Sequence, residues 1–322
     1  PFLFKKIEKL LRSNWQSGSL EIICPNGEIY RYIGDDETTH ATLQIKDYRF
    51  LKRVLNAGDI GFFEGYRLGE WDTPNLNDLL QVFCMNLDAI NRLAFGGGIV
   101  QKFNTFLHKL NENSKTGSRK NIYAHYDLGN GFYSQWLDET MTYSSAVFDG
   151  DHDLAQAQTR KYQELAKLID LQNGQKVLEI GCGWGGFAQY AAQNFEAHVT
   201  CLTISQAQFD FAKNRMAALG LSDNVEVLLM DYRDIEVFEA VGEIYWATYF
   251  DKVKNCLKKG GKAGLQIITI RDDLFDIYRK RADFIQKYVF PGGMLPSVQK
   301  LFEHANLAGL KMQTHREFGL DY

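Results

Sequence analysis

Lys176-Val177-Leu178-Glu179-Ile180-Gly181-Cys182-Gly183-Trp184-Gly185-Gly186-Phe187 decides how this chain folds. An aliphatic run carrying a late acid and followed by alternating glycines predicts a buried strand that turns sharply into a helix, the opening of a nucleotide-binding α/β domain. Gly181, Gly183 and Gly185 can take positive φ and carry no Cβ, so backbone N–H groups and the next helix N-terminus can come close to a ligand. Glycine spacing alone does not separate a dinucleotide site from an S-adenosylmethionine site. Glu179 helps to decide: a carboxylate at the end of the first strand repels a pyrophosphate but suits the ammonium of an amino-acid moiety, directly or through water. The second strand, residues 197–202, ends in Thr203, where a dehydrogenase would place an acid for the adenine ribose. A methyltransferase is therefore preferred to a dehydrogenase.

Downstream, Ser205 is the expected N-cap of a helix running toward Gly220. Residues 225–230 form the third strand and end at Asp231-Tyr232, where an acid can accept from an adenine amino group. An apolar fourth strand should follow, yet Ile235 runs directly into Glu236 and a loop-like stretch to Glu243. A doubly wound sheet does not omit an inner strand, so about ten residues are expected to be missing at this junction. Residues 262–270, after the turn at Gly260-Gly261, read as the fifth strand.

Upstream, residues 1–95 read as a small α+β unit. A hairpin of strands 20–24 and 28–32 turns at Pro25-Asn26-Gly27; a third strand, 41–45, leads into a helix through Tyr48, Leu51, Val54 and Leu55. Residues 58–71 mix glycines with aromatics and are expected to form a loop that covers the core or walls an apolar substrate. Residues 96–120 form a linker: Gly96-Gly97-Gly98 breaks the chain, then Val100, Phe103, Leu107 and Leu110 make a basic amphipathic helix suited to an anionic bilayer or to packing on its own domain. Residues 121–322 are the cofactor domain, opened by a polar, aromatic lid-like segment and a helix from Gln156 to Ile169.

Composition narrows the classes. The chain has 322 residues, 45% hydrophobic and 24% charged, enough for two domains and ordinary for a globular protein. A formal charge of −4 excludes a nucleic-acid binder on electrostatic grounds. Five cysteines without a C-x-x-C pair argue against a structural zinc site and a disulfide framework, and each is expected to be a small buried hydrophobe in a reducing compartment. No apolar run long enough to span a bilayer and no signal-peptide pattern are visible, so a cytoplasmic protein with peripheral contact to the inner face of the membrane is expected.

Several stretches together resemble the cyclopropane fatty acid synthase family, which includes the mycolic acid cyclopropane synthases: 125–130 (His-Tyr-Asp-Leu-Gly-Asn), 141–144 (Met-Thr-Tyr-Ser), 179–186, 202–205 with Gln208, 238–242, and 290–297 (Phe-Pro-Gly-Gly-Met-Leu-Pro-Ser). The resemblance is specific from Asn121 onward and weaker over residues 1–120, which are similar to the family's lipid-facing domain. It implies a Rossmann-like class I methyltransferase sheet, with S-adenosylmethionine as donor and the cis double bond of an unsaturated acyl chain, usually in a membrane phospholipid, as acceptor. By position, Tyr143, Ser144, Gly181, Gly183, Trp184, Thr203, Gln208, Asp231 and Tyr232 would join Glu179 at the cofactor. The family also holds a bicarbonate ion that removes a proton; here Glu239 falls on its glutamate and Tyr322 on its tyrosine. Its cysteine is replaced by Ser145, and the fifth strand carries no histidine; Gln266 lies on the same strand face. A hydroxyl and an amide can still donate to an anion, but a thiol and a titratable imidazole are lost.

The chemistry asks for a sulfonium methyl held in line with an alkene in a dry site, and for aromatic faces to steady the resulting carbocation; Tyr126, Phe132, Tyr143, Tyr288 and Phe290 are candidates. Glu239 is the preferred base-side residue, and His125 either orients substrate or is structural. Loss of the proton from the new methyl closes a cyclopropane; loss from a neighbouring carbon gives a methyl-branched chain, and loss from the methyl after a hydride shift gives a methylene chain. A lipid-binding protein with a silent methyltransferase domain and a methyltransferase of soluble acceptors are the alternatives from other classes. A two-fold assembly would let a peripheral enzyme face one membrane.

Overall fold

The computed structural model describes residues 2–35, 39–87, 90, 129–150, 153–230, 243, 246–280, 283–289 and 293–319. By its internal packing the chain forms two units: residues 1–110 with 277–289, and residues 111–276 with 290–322.

Unit 1 is built on a four-stranded sheet of order β2-β1-β3-β4, from β1 (Ser19–Ile23), β2 (Ile29–Ile33), β3 (His40–Ile45) and β4 (Trp71–Asp72). The hairpin expected at Pro25-Asn26-Gly27 is present, with Leu20 opposite Tyr32 and Ile22 opposite Tyr30, and β3 runs parallel to β1. Alternation sends Leu20, Ile22, Leu43 and Ile45 to one face, where they meet Phe4 and Leu11 of α1 (Phe2–Asn14), Phe50 and Leu51 of α2 (Arg49–Arg67), and Leu79 and Val82 of α3 (Leu76–Met85).

The glycine-rich stretch expected to be a loop is helical as far as Arg67. Gly58 answers a backbone need and Gly65 a packing one. Gly58 (φ 59°, ψ −128°) breaks α2 into two segments, and a Cβ on Gly65 would lie 2.8 Å from the Phe50 ring and 3.1 Å from Trp71. The ordinary penalty for glycine inside a helix is offset by burial of those rings. A late segment completes this unit. Phe284 and Tyr288, the latter in a π-helical turn (Ile285–Val289), pack on Phe63; the Phe284 N–H donates to Asp59 at 2.8 Å, and Lys287 and Tyr288 both donate to Glu64.

Unit 2 carries the parallel sheet β5-β6-β7, formed by β5 (Lys176–Ile180), β6 (His198–Thr203) and β7 (Val225–Leu229), each within about a residue of its expected place. The helices between them are α6 (Gly186–Phe195) and α7 (Gln206–Ala218), and Ser205 caps α7 by accepting from the Gln208 N–H. Ala188, Ala191, Val199, Cys201 and Met216 close the core against Tyr162 and Ala166 of α5 (Leu154–Leu168). A one-turn helix, α4 (Asn130–Tyr133), precedes α5, while α8 (Trp246–Cys256) and α10 (Val298–Leu307) follow the sheet; α9 (Asp272–Tyr278) runs from unit 2 into the part of the chain that belongs to unit 1.

Residues 262–270 depart from expectation. They form no ladder, only a single bridge from Ile270 to Ser297, because a strand exists only beside a partner and no other pairing is made among the described residues. The Ile235–Glu236 junction and the linker at 96–120 lie outside the described residues. No described helix is long and apolar enough to cross a membrane, and no described group of side chains could hold a metal ion.

Candidate active site

The site lies in unit 2, at the end of β5. Gly181, Gly183 and Gly185 take φ of 77°, 53° and 84°, the left-handed region that favours glycine. The turn is pinned by Gly181 and Cys182 N–H groups that both donate to the Leu202 carbonyl at 3.0 Å. In front of Gly183 there is open space, since a Cβ there would meet nothing within 4 Å. Behind the turn there is none: a Cβ on Gly186 would collide with the Tyr162 hydroxyl and come within 3.0 Å of Thr142 Oγ1.

Glu179 is half-buried as a residue, but its Oε2 is enclosed and has no hydrogen-bond partner among the described residues. Burial pushes its carboxyl up to about 8, against the opposing pull of the Ala188 N–H and the Lys161 ammonium. A polar atom left unpaired in this way is destabilising by itself, and a cationic partner for the carboxylate would offset that cost.

The loop 141–147, bearing Tyr143, Ser144 and Ser145, is gripped from α5. Gln158, 1% exposed, donates through Nε2 to the Ser144 carbonyl at 2.8 Å and to that of Thr142 at 3.3 Å. Arg160 donates to the Val147 carbonyl, the Tyr162 hydroxyl bonds Thr142 Oγ1, and Lys161 Nζ donates to Ser144 Oγ at 2.6 Å. From the other side, Arg215 of α7 donates to the Thr140 carbonyl at 2.8 Å. Met141, at φ 56°, is one of the few non-glycine residues in the left-handed region, so the loop is held in a conformation its own sequence disfavours.

Aromatic rings border the turn. Trp184 is buried, with its Nε1 donating to Asn130 Oδ1 at 2.8 Å; its ring lies 5.1 Å from Tyr133, which lies 5.2 Å from Tyr143, and Trp136 stands 5.4 Å from Tyr143. Tyr143, Trp136 and Phe132 are each more than a third exposed, forming an uncharged, polarizable surface beside the glycine turn. Burial pushes the Tyr133 phenol up to about 12, so it stays neutral.

Thr203 and Gln208 are both buried and bonded to each other at 2.8 Å, fixing the tip of β6 to the start of α7. Ser145 and Gln266 are brought together, Gln266 Nε2 donating to the Ser145 carbonyl at 3.3 Å while Ser145 Oγ donates to that of Ala146. His125, Asp231, Tyr232, Glu239 and Tyr322 lie outside the described residues, as do Tyr126 and Phe290. Tyr288, a candidate for steadying positive charge, belongs to unit 1 and bonds Glu64 there. Lys161, Gln158 and Arg215 escaped the reading of the sequence. The signal for Lys161 was available, because it stands between Ala157 and Leu165, four residues from each, on the buried face of a helix.

A glycine turn with open space before it, an enclosed carboxylate and an aromatic border fit a ligand with an amino-acid end and a heteroaromatic ring. Comparison with known proteins decides which. The family model described as mycolic acid cyclopropane synthetase matches residues 113–322. The chain belongs to this family. It is 31% identical over 324 residues to the cyclopropane-fatty-acyl-phospholipid synthase of Escherichia coli K12, covering 96% of this chain and 79% of that protein. It is 36% identical over 272 residues to a tuberculostearic acid methyltransferase of Mycobacterium tuberculosis, covering 78% of this chain but only 63% of that protein's length. Among solved structures, the cyclopropane synthase CmaA1 complexed with S-adenosylhomocysteine (SAH) and CTAB superposes with a TM-score of 0.51 at 28% identity, over 59% of this chain and 74% of that one. Unit 2 is thus a class I methyltransferase fold, and S-adenosylmethionine is the cofactor of this family's site.

Proposed function

We propose that this protein transfers a methyl group from S-adenosylmethionine to the cis double bond of an unsaturated acyl chain in a membrane phospholipid and closes a cyclopropane ring. The observation that supports this reading is the uncharged aromatic cluster beside the glycine turn, in which exposed Tyr143 and Trp136 pack on buried Tyr133 and Trp184. An alkene is a weak nucleophile and its methylated form is a carbocation, so the site must exclude water and stabilise positive charge without supplying a nucleophile. Ring faces do this, and carboxylates would not.

When bound, the cofactor supplies an electrophilic methyl on a sulfonium. Tyr143, Ser144, Glu179, Gly181, Gly183, Trp184, Thr203 and Gln208 are the described residues that would hold it, joined by Asp231 and Tyr232. Glu179 suits the amino-acid ammonium, and Gly183 leaves room for close approach of the backbone. Glu239 would take the proton, directly or through bicarbonate held with Tyr322, while His125 would orient the acyl chain. Peripheral attachment to the inner face of the membrane, through the basic segment 96–120, and a two-fold assembly complete the proposal.

A second reading, a fatty acyl C-methyltransferase that makes a methyl-branched or methylene chain, is favoured by Ser145 and Gln266. Each bonds a backbone carbonyl, and neither brings a titratable group to the place where the family carries a thiol and an imidazole. Incubation with trideuteromethyl donor and unsaturated phospholipid vesicles, followed by mass spectrometry of the fatty acids, tests both. A ring or a methylene retains two deuteriums and a methyl branch three; ozone cleaves the methylene and spares the ring. Absence of label in the lipid, with label in a soluble acceptor, overturns the proposal.

A further inference from the structure

Lys161 is 6% exposed, in the middle of the buried face of α5. A buried ammonium needs partners, and this one has a single hydrogen bond among the described residues, to Ser144 Oγ. Ser144 is itself exposed. Because its oxygen accepts from the ammonium, its own O–H is left to donate outward, and an anion is the acceptor such a polarised hydroxyl favours. Across the tip of β5 stands Glu179 with its enclosed, unpartnered Oε2. Lys161 and Glu179 act on each other electrostatically, without the direct ion pair that Arg53 and Glu70 make in unit 1. A buried ammonium and a buried carboxyl that interact without pairing directly suit the two ends of a zwitterion.

We propose that Lys161, acting through the Ser144 hydroxyl, receives the α-carboxylate of S-adenosylmethionine, opposite Glu179, which receives the α-ammonium. This rests on the donor reading of the site and adds a positioning residue to it. The electrostatics have a consequence for pH. Burial lowers the Lys161 ammonium to about 7 and raises the Glu179 carboxyl to about 8; Asp138 and Glu179 face Lys161, the Tyr162 ring lies 5.4 Å from its Nζ, Arg215 faces Asp138 and Tyr162, and Cys201 lies beside Glu179. A zwitterion favours the charged form of both. Affinity then falls as pH drops below about 8, where Glu179 must lose a proton to bind, and falls again as pH rises above about 7, where Lys161 must gain one.

The test is calorimetric titration of the full chain with S-adenosylhomocysteine and with methylthioadenosine, which lacks the amino-acid end. Lys161→Met is expected to weaken the first by about tenfold to a hundredfold, the usual effect of losing a charge-assisted hydrogen bond, and to leave the second unchanged. It should also remove the alkaline limb of the pH profile while the acid limb remains. Equal weakening of both ligands, or an unchanged profile, overturns the proposal and leaves the donor reading standing. Failure of the wild-type chain to bind S-adenosylhomocysteine overturns both. Should Lys161→Met not fold, Lys161→Gln takes its place, with the same selective loss and the same missing alkaline limb expected.

Discussion

Buried charge is handled differently in the two units. In unit 1, Glu70 is 3% exposed and meets the Arg53 guanidinium through two hydrogen bonds, of 2.8 and 3.0 Å, while Glu64 gathers Arg53, Lys287 and Tyr288. The hydrogen bonds and cations around Glu64 hold its carboxyl below the usual range despite burial, and Glu70 raises Arg53 further. In unit 2, Lys161 and Glu179 are held apart, and burial drives each toward its neutral form. Paired charge fastens elements together; charge left without its complement is strain that a ligand can relieve.

The largest expected effect comes from breaking the paired cluster. Arg53→Met leaves Glu70 buried and alone, and should lower the unfolding free energy in urea by about 3–5 kcal/mol; a loss under about 1 kcal/mol would mean that the pair is incidental. Lys161→Met should act in the opposite direction. Lys161 is protonated in both states below pH 7, where the penalty for its burial is complete, and that penalty is relieved as pH rises from about 7 toward the ordinary lysine value. The ligand-free variant is therefore expected to be more stable than wild type at pH 6 by about 1–3 kcal/mol, an advantage that shrinks by pH 9. Equal destabilisation at both pH values would erase the contrast between the units.

A third substitution separates packing from charge. Gly186→Ala pushes a methyl into the Tyr162 hydroxyl and should be destabilising by about 1–2 kcal/mol in thermal melts, with Tyr162→Phe in the same chain restoring part of the loss. The smallest effect sets the baseline. Arg31→Ala removes an exposed partner of Glu21 and should change stability by less than about 0.5 kcal/mol, as expected for an ion pair in water.

Legibility in the sequence followed the range of the forces involved. The hairpin at Pro25-Asn26-Gly27 and the turn after β5 were readable because their causes are local: turn residues flanked by alternating or continuous apolar runs. Residues 58–67 are helical where their glycines suggest a loop, because the reason for Gly65, room for Phe50 and Trp71, is tertiary. Residues 262–270 carry a strand pattern but lack a described neighbour, and no propensity replaces a missing ladder. In the site, the glycines, Glu179 and the Ser205 cap declared themselves, whereas Gln158, Lys161 and Arg215 did not, since a polar side chain that holds a distant loop looks like any solvated helix residue until the fold brings the loop to it.

The docking of residues 283–289 onto α2 also orders events during synthesis. Phe63 and the Asp59 carboxylate wait for partners that emerge more than two hundred residues later. The first hundred residues can therefore build their sheet at the ribosome but cannot seal it. An amino-terminal fragment that stops before Phe284 would display a greasy, acid-rimmed scar, the kind of surface that chaperones hold and that proteases find first.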